Sequence, residues 1–286
     1  FNMDFISKSK VILHNMSEEI DKEPTQFYKP SYKLDKFQKI AYNATEAGHN
    51  VMVCAHTSSG KTVVAKNAIS MHLKNNNEKQ ILYTAPIKVL SNQINNELSV
   101  DLKGIAEVGI ITGNTTKNPN AEVIVMTTEV LYNGLFRETN DKIYDWNFNP
   151  EKVSCVIFDE VHFINDRDRG HVWEQTISKL NKDIQIIMLS ATLNGAEKLA
   201  KWISEIKDKY CHLIITDKRP IKLEHSLYLE DENKFKIILD DERWSYGTWN
   251  NVLDNFKKNE KKKKLKSKKK ISRHQKKINR INLCLK

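Results

Sequence analysis

Ala55-His56-Thr57-Ser58-Ser59-Gly60-Lys61-Thr62 is the stretch whose reading decides the fold. It follows the apolar run Val51-Met52-Val53-Cys54, which reads as a buried strand. It precedes Val63-Val64-Ala65-Lys66-Asn67-Ala68-Ile69, which reads as the opening of a helix. A turn of small residues between strand and helix, closed by Gly-Lys-Thr, is a phosphate cradle. Backbone N–H groups of the turn and of the helix N-terminus converge there on anionic oxygens. Lys61 reaches the β- and γ-phosphates, and the Thr62 hydroxyl suits a Mg²⁺ ion. The usual pattern opens with Gly, and Ala55 holds that place. The plainer reading of these residues is a solvated Ser-rich turn in which Thr57 or Ser58 caps the helix.

Two further strand ends carry matching chemistry. Val156-Ile157-Phe158 is a buried-strand run ending in Asp159-Glu160-Val161-His162. A nucleotide hydrolase needs an acid at a strand end for Mg²⁺ and a base or water-orienting group near the γ-phosphate. Asp159 fits the first role and Glu160 the second. Taken alone, an Asp-Glu pair after a strand is a solvated turn. Ser190-Ala191-Thr192 follows Ile186-Ile187-Met188-Leu189. Its hydroxyls, on Ser190 and Thr192, either couple the metal-site carboxylates to the nucleotide or cap a helix.

Apolar runs at 51–54, 80–84, 123–126, 153–158 and 184–189 alternate with helical stretches starting near 61, 87, 128, 171 and 195. That alternation predicts an α/β fold: a parallel sheet with helices on both faces. Ligands of such sheets bind at the carboxyl ends of the strands, where all three candidate sites lie.

In this order the motifs resemble the first motor domain, RecA-like, of superfamily 2 DExH-box RNA helicases of the superkiller type, which feed exosome-style RNA decay. The matching residues are Phe37-Gln38, then 55–62, then Thr84-Ala85-Pro86-Ile87-Lys88-Val89-Leu90-Ser91-Asn92-Gln93. Ile111-Thr112-Gly113, Met126-Thr127-Thr128-Glu129-Val130-Leu131, Asp159-Glu160-Val161-His162 and Ser190-Ala191-Thr192 follow. Asn165-Asp166-Arg167-Asp168-Arg169-Gly170 with Trp173-Glu174, and Lys218-Arg219-Pro220 with Leu223-Glu224-His225, resemble the superkiller branch. The resemblance covers about Tyr32 to Leu229. It implies ATP and Mg²⁺ as cofactors, with Lys61, Asp159 and Glu160 catalytic and Thr62 and Asp159 on the metal. It implies that Gln38 reads adenine and that Tyr32 stacks on the base; Tyr32 also reads as a half-buried loop anchor. It assigns Pro86, Lys88, Thr112, Gly113, Thr127, Thr128 and Glu129 to the backbone of single-stranded RNA (or DNA). Thr127-Thr128-Glu129 reads equally as a helix cap with an acid in the first turn.

The organisation expected is an N-terminal extension (1–31), the ATP-binding domain (32–229), an exit segment (230–256) and a Lys-rich linker (257–286). The linker holds 15 Lys or Arg against Glu260 alone, leaving 31 basic and 35 acidic residues in the first 256. The net charge of +10 is therefore +14 from the tail against −4 from the rest of the chain. The tail cannot bury a core. It reads as a solvated linker, a non-specific phosphate binder or a nuclear-localisation tract. Trp244, Tyr246, Trp249 and Phe256 pack on the domain or line a nucleic-acid path. No Gln-x-x-Gly-Arg-x-Gly-Arg pattern occurs, so the second RecA-like lobe that would complete such a motor is expected on another stretch of chain.

Cys54, Cys155, Cys211 and Cys284 show no Cys-x-x-Cys pairing, and three of them lie in apolar runs, which predicts reduced core thiols. No run approaches the ~18 apolar residues of a membrane span, and no signal peptide is visible. These features point to an intracellular protein of nucleus or cytoplasm with no membrane partner. The Asn, Lys and Ile content suggests an AT-rich genome, a protist or a large DNA virus. Two rival functions stand beside the RNA helicase: a DNA helicase of the same superfamily, and a truncated, non-catalytic nucleic-acid-binding module.

Overall fold

Each of the five apolar runs folds as a strand, within a residue or two of its expected bounds. In chain order the elements are β1 (Val11–His14), α1 (Lys36–Glu46), β2 (Asn50–Ala55), α2 (Thr62–Asn75), β3 (Gln80–Ala85), α3 (Lys88–Asp101), β4 (Val108–Thr112) and β5 (Thr115–Lys117). They continue as β6 (Val123–Thr127), α4 (Thr128–Phe136), β7 (Val153–Phe158), α5 (Gly170–Lys179), β8 (Gln185–Ser190), α6 (Ala196–Lys207) and β9 (Cys211–Thr216). This computed structural model describes residues 10–14, 16, 22–75, 78–136, 148–191, 193–217, 224–229, 234–240, 243–251, 253–254 and 257.

The nine strands form one sheet in the order β1-β9-β2-β8-β7-β3-β6-β4-β5. All neighbours pair in parallel except β4 and β5, an antiparallel hairpin at one edge. Successive strand residues face opposite sides, so near-continuous apolar runs supply two cores at once. Val51, Val53, Ile81, Tyr83, Val125 and Ile157 join α1, α2 and α3 on one face. Met52, Cys54, Leu82, Met126, Val156 and Phe158 join residues of α4, α5 and α6 on the other. This is the parallel sheet with helices on both faces that the alternation predicts, and the RecA-like arrangement that the resemblance implies. Cys54, Cys155 and Cys211 are buried free thiols within it; Cys284 lies outside the described residues.

The strands outside the five expected runs are β1, β4, β5 and β9. β1 falls in the stretch read as an N-terminal extension, yet it pairs with β9 through Val11↔Cys211 to His14↔Ile214. Four residues are too few for periodicity to show a strand. β4 was not anticipated either, because Gly109 and Thr112 interrupt its apolar run.

The chain divides into compact units at 1–218 and 219–286. The second holds an antiparallel sheet of β10 (Glu224–Leu229), β11 (Lys234–Asp240) and β12 (Arg243–Trp244). β10 thus belongs to the second unit, although the sequence reading carries the ATP-binding domain to 229. Tyr246 is exposed and Trp249 half-buried. Phe256, the Trp244 side chain and the Lys-rich run beyond 257 lie outside what is described.

Candidate active site

The rim formed by the strand carboxyl ends orders the candidate residues by topology. The strand sequence β2-β8-β7 carries the phosphate loop, Ser190 and Asp159-Glu160. The adjoining sequence β3-β6-β4 carries Pro86, Thr127-Thr128-Glu129 and Thr112-Gly113. The residues expected to hold nucleotide and those expected to meet nucleic acid therefore occupy neighbouring halves of one rim, meeting at the β7–β3 pair.

In the loop between β2 and α2, Lys61 is 9% exposed. Its ammonium donates to the Ala55 carbonyl at 2.8 Å and the His56 carbonyl at 3.0 Å. Burial lowers its pKa, against the pull of Glu160, Asp159 and Cys54. Ser58 holds a left-handed backbone at φ 65° and Gly60 at φ 85°. A Cβ on Gly60 would lie 2.7 Å from Gln38 Nε2 and 3.1 Å from the Tyr32 hydroxyl, so glycine alone fits there. The Ser59 hydroxyl is buried within this loop and has no hydrogen-bond partner in the structure. An orphaned donor among convergent N–H groups is the chemistry a phosphate oxygen would satisfy. Thr57 and Ser58 are exposed; His56 and Thr62 are half-buried.

Gln38 sits beneath the loop, 1% exposed. Its Oε1 accepts from Asp35 N–H at 2.9 Å at the start of α1, and its Nε2 donates to the Gly60 carbonyl at 3.1 Å. Gln38 thus braces the phosphate loop from the first turn of α1 with both ends of its amide. Tyr32 is half exposed beside the loop.

Asp159 follows β7 and is held on both carboxylate oxygens. Tyr83 donates its hydroxyl to Oδ2 at 2.8 Å, and Glu160 N–H donates to Oδ1 at 2.9 Å. Burial raises the Asp159 pKa, and the Glu160 charge adds to it; the Tyr83 hydroxyl, the Glu160 N–H and Lys61 work the other way. A carboxylate so held is poised for a cation, whose charge would favour its ionised form. Glu160 occupies the left-handed region at φ 51°. That strained turn re-aims its carboxylate, whose Oε2 lies 3.2 Å from His162 Nδ1. Tyr83 was not anticipated; a tyrosine inside a fully buried strand was its signal, because a buried hydroxyl must find a partner.

Across the rim, Pro86 is buried, while Lys88 and Gly113 are exposed and Thr127 is half-buried. The hydroxyls of Thr112 and Thr128 are fully buried and have no hydrogen-bond partner in the structure, as is the Ser190 hydroxyl. Thr192 lies outside the described residues. Glu129 is engaged: Arg169 Nε donates to its Oε1 at 3.1 Å, and Arg169 Nη2 reaches the same oxygen.

Fold and rim together define an α/β domain with a glycine-dependent loop after β2 and an acidic pair after β7 at the same end of one sheet. A family model described as DEAD/DEAH box helicase matches residues 35–200, and the chain belongs to that family. Antiviral helicase SKI2 of Saccharomyces cerevisiae is 43% identical over 201 residues, covering 70% of this chain and 15% of the relative. Exosome RNA helicase MTR4 of Homo sapiens is 39% identical over 209 residues, covering 73% of this chain and 19% of the relative. The chain spans about a fifth of the length of the curated relatives it matches. Among solved structures, Mycobacterium smegmatis helicase Lhr bound to ssDNA and AMP-PNP aligns with a TM-score of 0.52 at 26% identity, covering 63% of this chain and 25% of that one. The DUF1998 helicase MrfA bound to DNA shares the fold, with a TM-score of 0.54 at 20% identity over 64% of this chain and 27% of that one. These relatives are cellular proteins, and a viral source finds no support in them. No helix among the described residues is long and apolar enough to cross a membrane.

Proposed function

We propose that this chain is the first motor lobe of an ATP-dependent RNA helicase of the DExH superkiller type, working in nucleus or cytoplasm. The observation that carries the reading is the placement of a glycine-dependent loop holding Lys61 after β2 and of Asp159-Glu160 after β7, at the same end of one parallel sheet with only β8 between them. Lys61 neutralises the β- and γ-phosphates, and the loop N–H groups and the Ser59 hydroxyl bind their oxygens. Thr62 and Asp159 would hold Mg²⁺, which when bound offsets the phosphate charge. Glu160 orients the attacking water and accepts its proton. Tyr32 and Gln38 select adenine.

Hydrolysis this way lacks a cation on the far side of the γ-phosphate. An arginine from the second lobe contributes ~10³–10⁵ in rate to such chemistry, so turnover by this lobe alone is slow. On the nucleic-acid side, Lys88, Gly113 and Thr127 present the accessible groups for the RNA backbone. Pro86, Thr112 and Thr128 shape the loops from beneath, and Ser190 with Thr192 links the two halves. Contacts to phosphates position the strand without reading its sequence, as translocation requires. The naming of SKI2 and MTR4 relatives favours RNA and an RNA-decay complex as partners; the Lhr structure with ssDNA supports DNA as the second reading.

The test is ATP turnover with Mg²⁺, with single-stranded RNA or DNA of equal length, for the parent chain, Lys61→Ala and Glu160→Gln. Slow turnover raised more by RNA than by DNA, and lost in both variants, is the expected result. Stimulation by DNA alone would favour the second reading. Turnover indifferent to both substitutions would sink the assignment.

A further inference from the structure

Arg169 lies in none of the roles described so far, yet its guanidinium joins three separate elements. It belongs to the segment that leaves Asp159-Glu160: a 3₁₀ turn (Val161–Asn165), a loop and then α5. That segment fixes the arginine from behind. Asp166 Oδ1 accepts from the N–H of Asp168 at 3.0 Å and of Arg169 at 2.9 Å. Gly170 follows with no room for a side chain, since a Cβ would meet the Ile164 carbonyl at 2.2 Å. The guanidinium lies 5.7 Å from the Phe163 ring centre and 5.5 Å from that of Trp173, itself fully buried.

Thus held, Arg169 reaches across the boundary of the two half-rims. Nη2 donates to the Pro86 carbonyl at 2.6 Å, at the end of β3. Nε and Nη2 both bond Glu129 Oε1, in the first turn of α4. The planar guanidinium gives three bonds in fixed directions while stacking on two rings. A lysine ammonium keeps the charge and loses that geometry. Surface pairing alone does not account for it: an exposed pair of this kind contributes ~0–1 kcal/mol to stability and needs neither the stacking nor the carbonyl.

We propose that Arg169 is a positioning residue that couples the nucleotide half of the rim to the nucleic-acid half. It is the covalent continuation of Asp159-Glu160, nine residues on from Glu160, and its donors hold two of the three loops that the helicase reading assigns to RNA. A shift of the acidic pair on nucleotide binding is carried through the 3₁₀ turn to Arg169 and from there to Pro86 and Glu129. The inference rests on the ATP-and-RNA reading above.

The experiment measures two affinities on the full 286-residue chain. One is for a fluorescent ATP analogue with Mg²⁺. The other is for a labelled oligouridylate RNA, with and without saturating AMP-PNP. Parent, Arg169→Lys, Glu129→Gln and the double variant are compared, with native circular dichroism required of each. In the parent, AMP-PNP changes RNA affinity about fivefold or more, the lower end of ordinary coupling between sites. In Arg169→Lys the analogue affinity stays within about twofold while that ratio falls toward one. Glu129→Gln lowers the ratio as well, and the double variant is no worse than Arg169→Lys, because the two act as one unit. Arg169→Lys with an unchanged ratio overturns the proposal. So does a parent that binds the analogue but whose RNA affinity ignores it. Equal loss of both affinities in Arg169→Lys marks a merely structural residue and overturns it too. A parent that binds no analogue sinks the ATP-site reading itself, an outcome distinct from the others.

Discussion

Replacing Gly60 with alanine puts a Cβ 2.7 Å from Gln38 Nε2 and 3.1 Å from the Tyr32 hydroxyl, at a backbone φ of 85°. Three costs follow. The left-handed conformation costs a non-glycine residue ~1–2 kcal/mol. Gln38 cannot simply retreat, because its Oε1 is tied to Asp35 N–H and its side chain is 1% exposed. Moving it breaks the 3.1 Å bond to the Gly60 carbonyl, worth about 1 kcal/mol. Tyr32, half exposed, swings aside at little cost. The sum is about 2–3 kcal/mol, charged against the loop conformation that binds phosphate. The loop lies at a half-exposed edge and can relax when empty, so the cost falls mainly on binding. At about 1.4 kcal/mol per tenfold, the dissociation constant for a fluorescent ATP analogue rises roughly 30- to 150-fold. The melting temperature of the empty chain drops by only a few degrees, at roughly 2–4 °C per kcal/mol. A Gly60→Ala chain that binds the analogue within twofold of the parent would refute this account of the loop, given Lys61→Ala as a binding-deficient control.

Three other outcomes are expected. Tyr83→Phe removes the 2.8 Å bond from a fully buried tyrosine to the half-buried Asp159 Oδ2 and destabilises the chain by roughly 1–3 kcal/mol in urea unfolding. It also raises the Asp159 pKa further, because that hydroxyl was lowering it. Magnesium-dependent nucleotide binding then weakens at a higher pH than in the parent, as a pH series of titrations would record. His212, in a chain of imidazoles with His14 at 2.8 Å and His49 at 2.9 Å, has its pKa lowered from 6.5 to about 4 by burial and by those two neighbours. The unfolded chain takes up a proton that the folded His212 refuses. Its contribution to stability is therefore whole above about pH 6.5 and is lost as pH falls toward 4. Discounted for partial solvent access, the loss is about 1–3 kcal/mol, and His212→Asn, less stable at neutral pH, flattens that slope in thermal melts.

Much of the fold was legible because parallel strands buried on both faces write themselves as unbroken apolar runs, as at 153–158 and 184–189. Short or interrupted strands were not. Val11–His14 is too short to show a period, and Gly109 and Thr112 break β4. In the site, the phosphate loop and the acidic pair were readable because their chemistry demands particular residues at fixed spacing after a strand. Residues whose work is tertiary left little trace. Tyr83 meets Asp159 only because β3 and β7 are neighbours, with Thr84 opposite Phe158. Arg169 stood in a stretch already singled out, but its partners Pro86 and Glu129 are 83 and 40 residues away in sequence. The same limit separates Lys88 and Gly113, which are exposed, from Thr112 and Thr128, whose hydroxyls point inward: hydroxyl residues after a strand read alike until packing assigns them a side.

The central claim is that the loop at 55–62 and the pair at 159–160 form a magnesium-dependent nucleotide site. Calorimetric titration of the chain with AMP-PNP, with and without Mg²⁺, and of Lys61→Ala alongside it, tests that most directly. The account predicts saturable one-site binding that requires Mg²⁺ and disappears in Lys61→Ala while the fold persists. Binding that survives Lys61→Ala, or no binding to the parent chain at all, would contradict it.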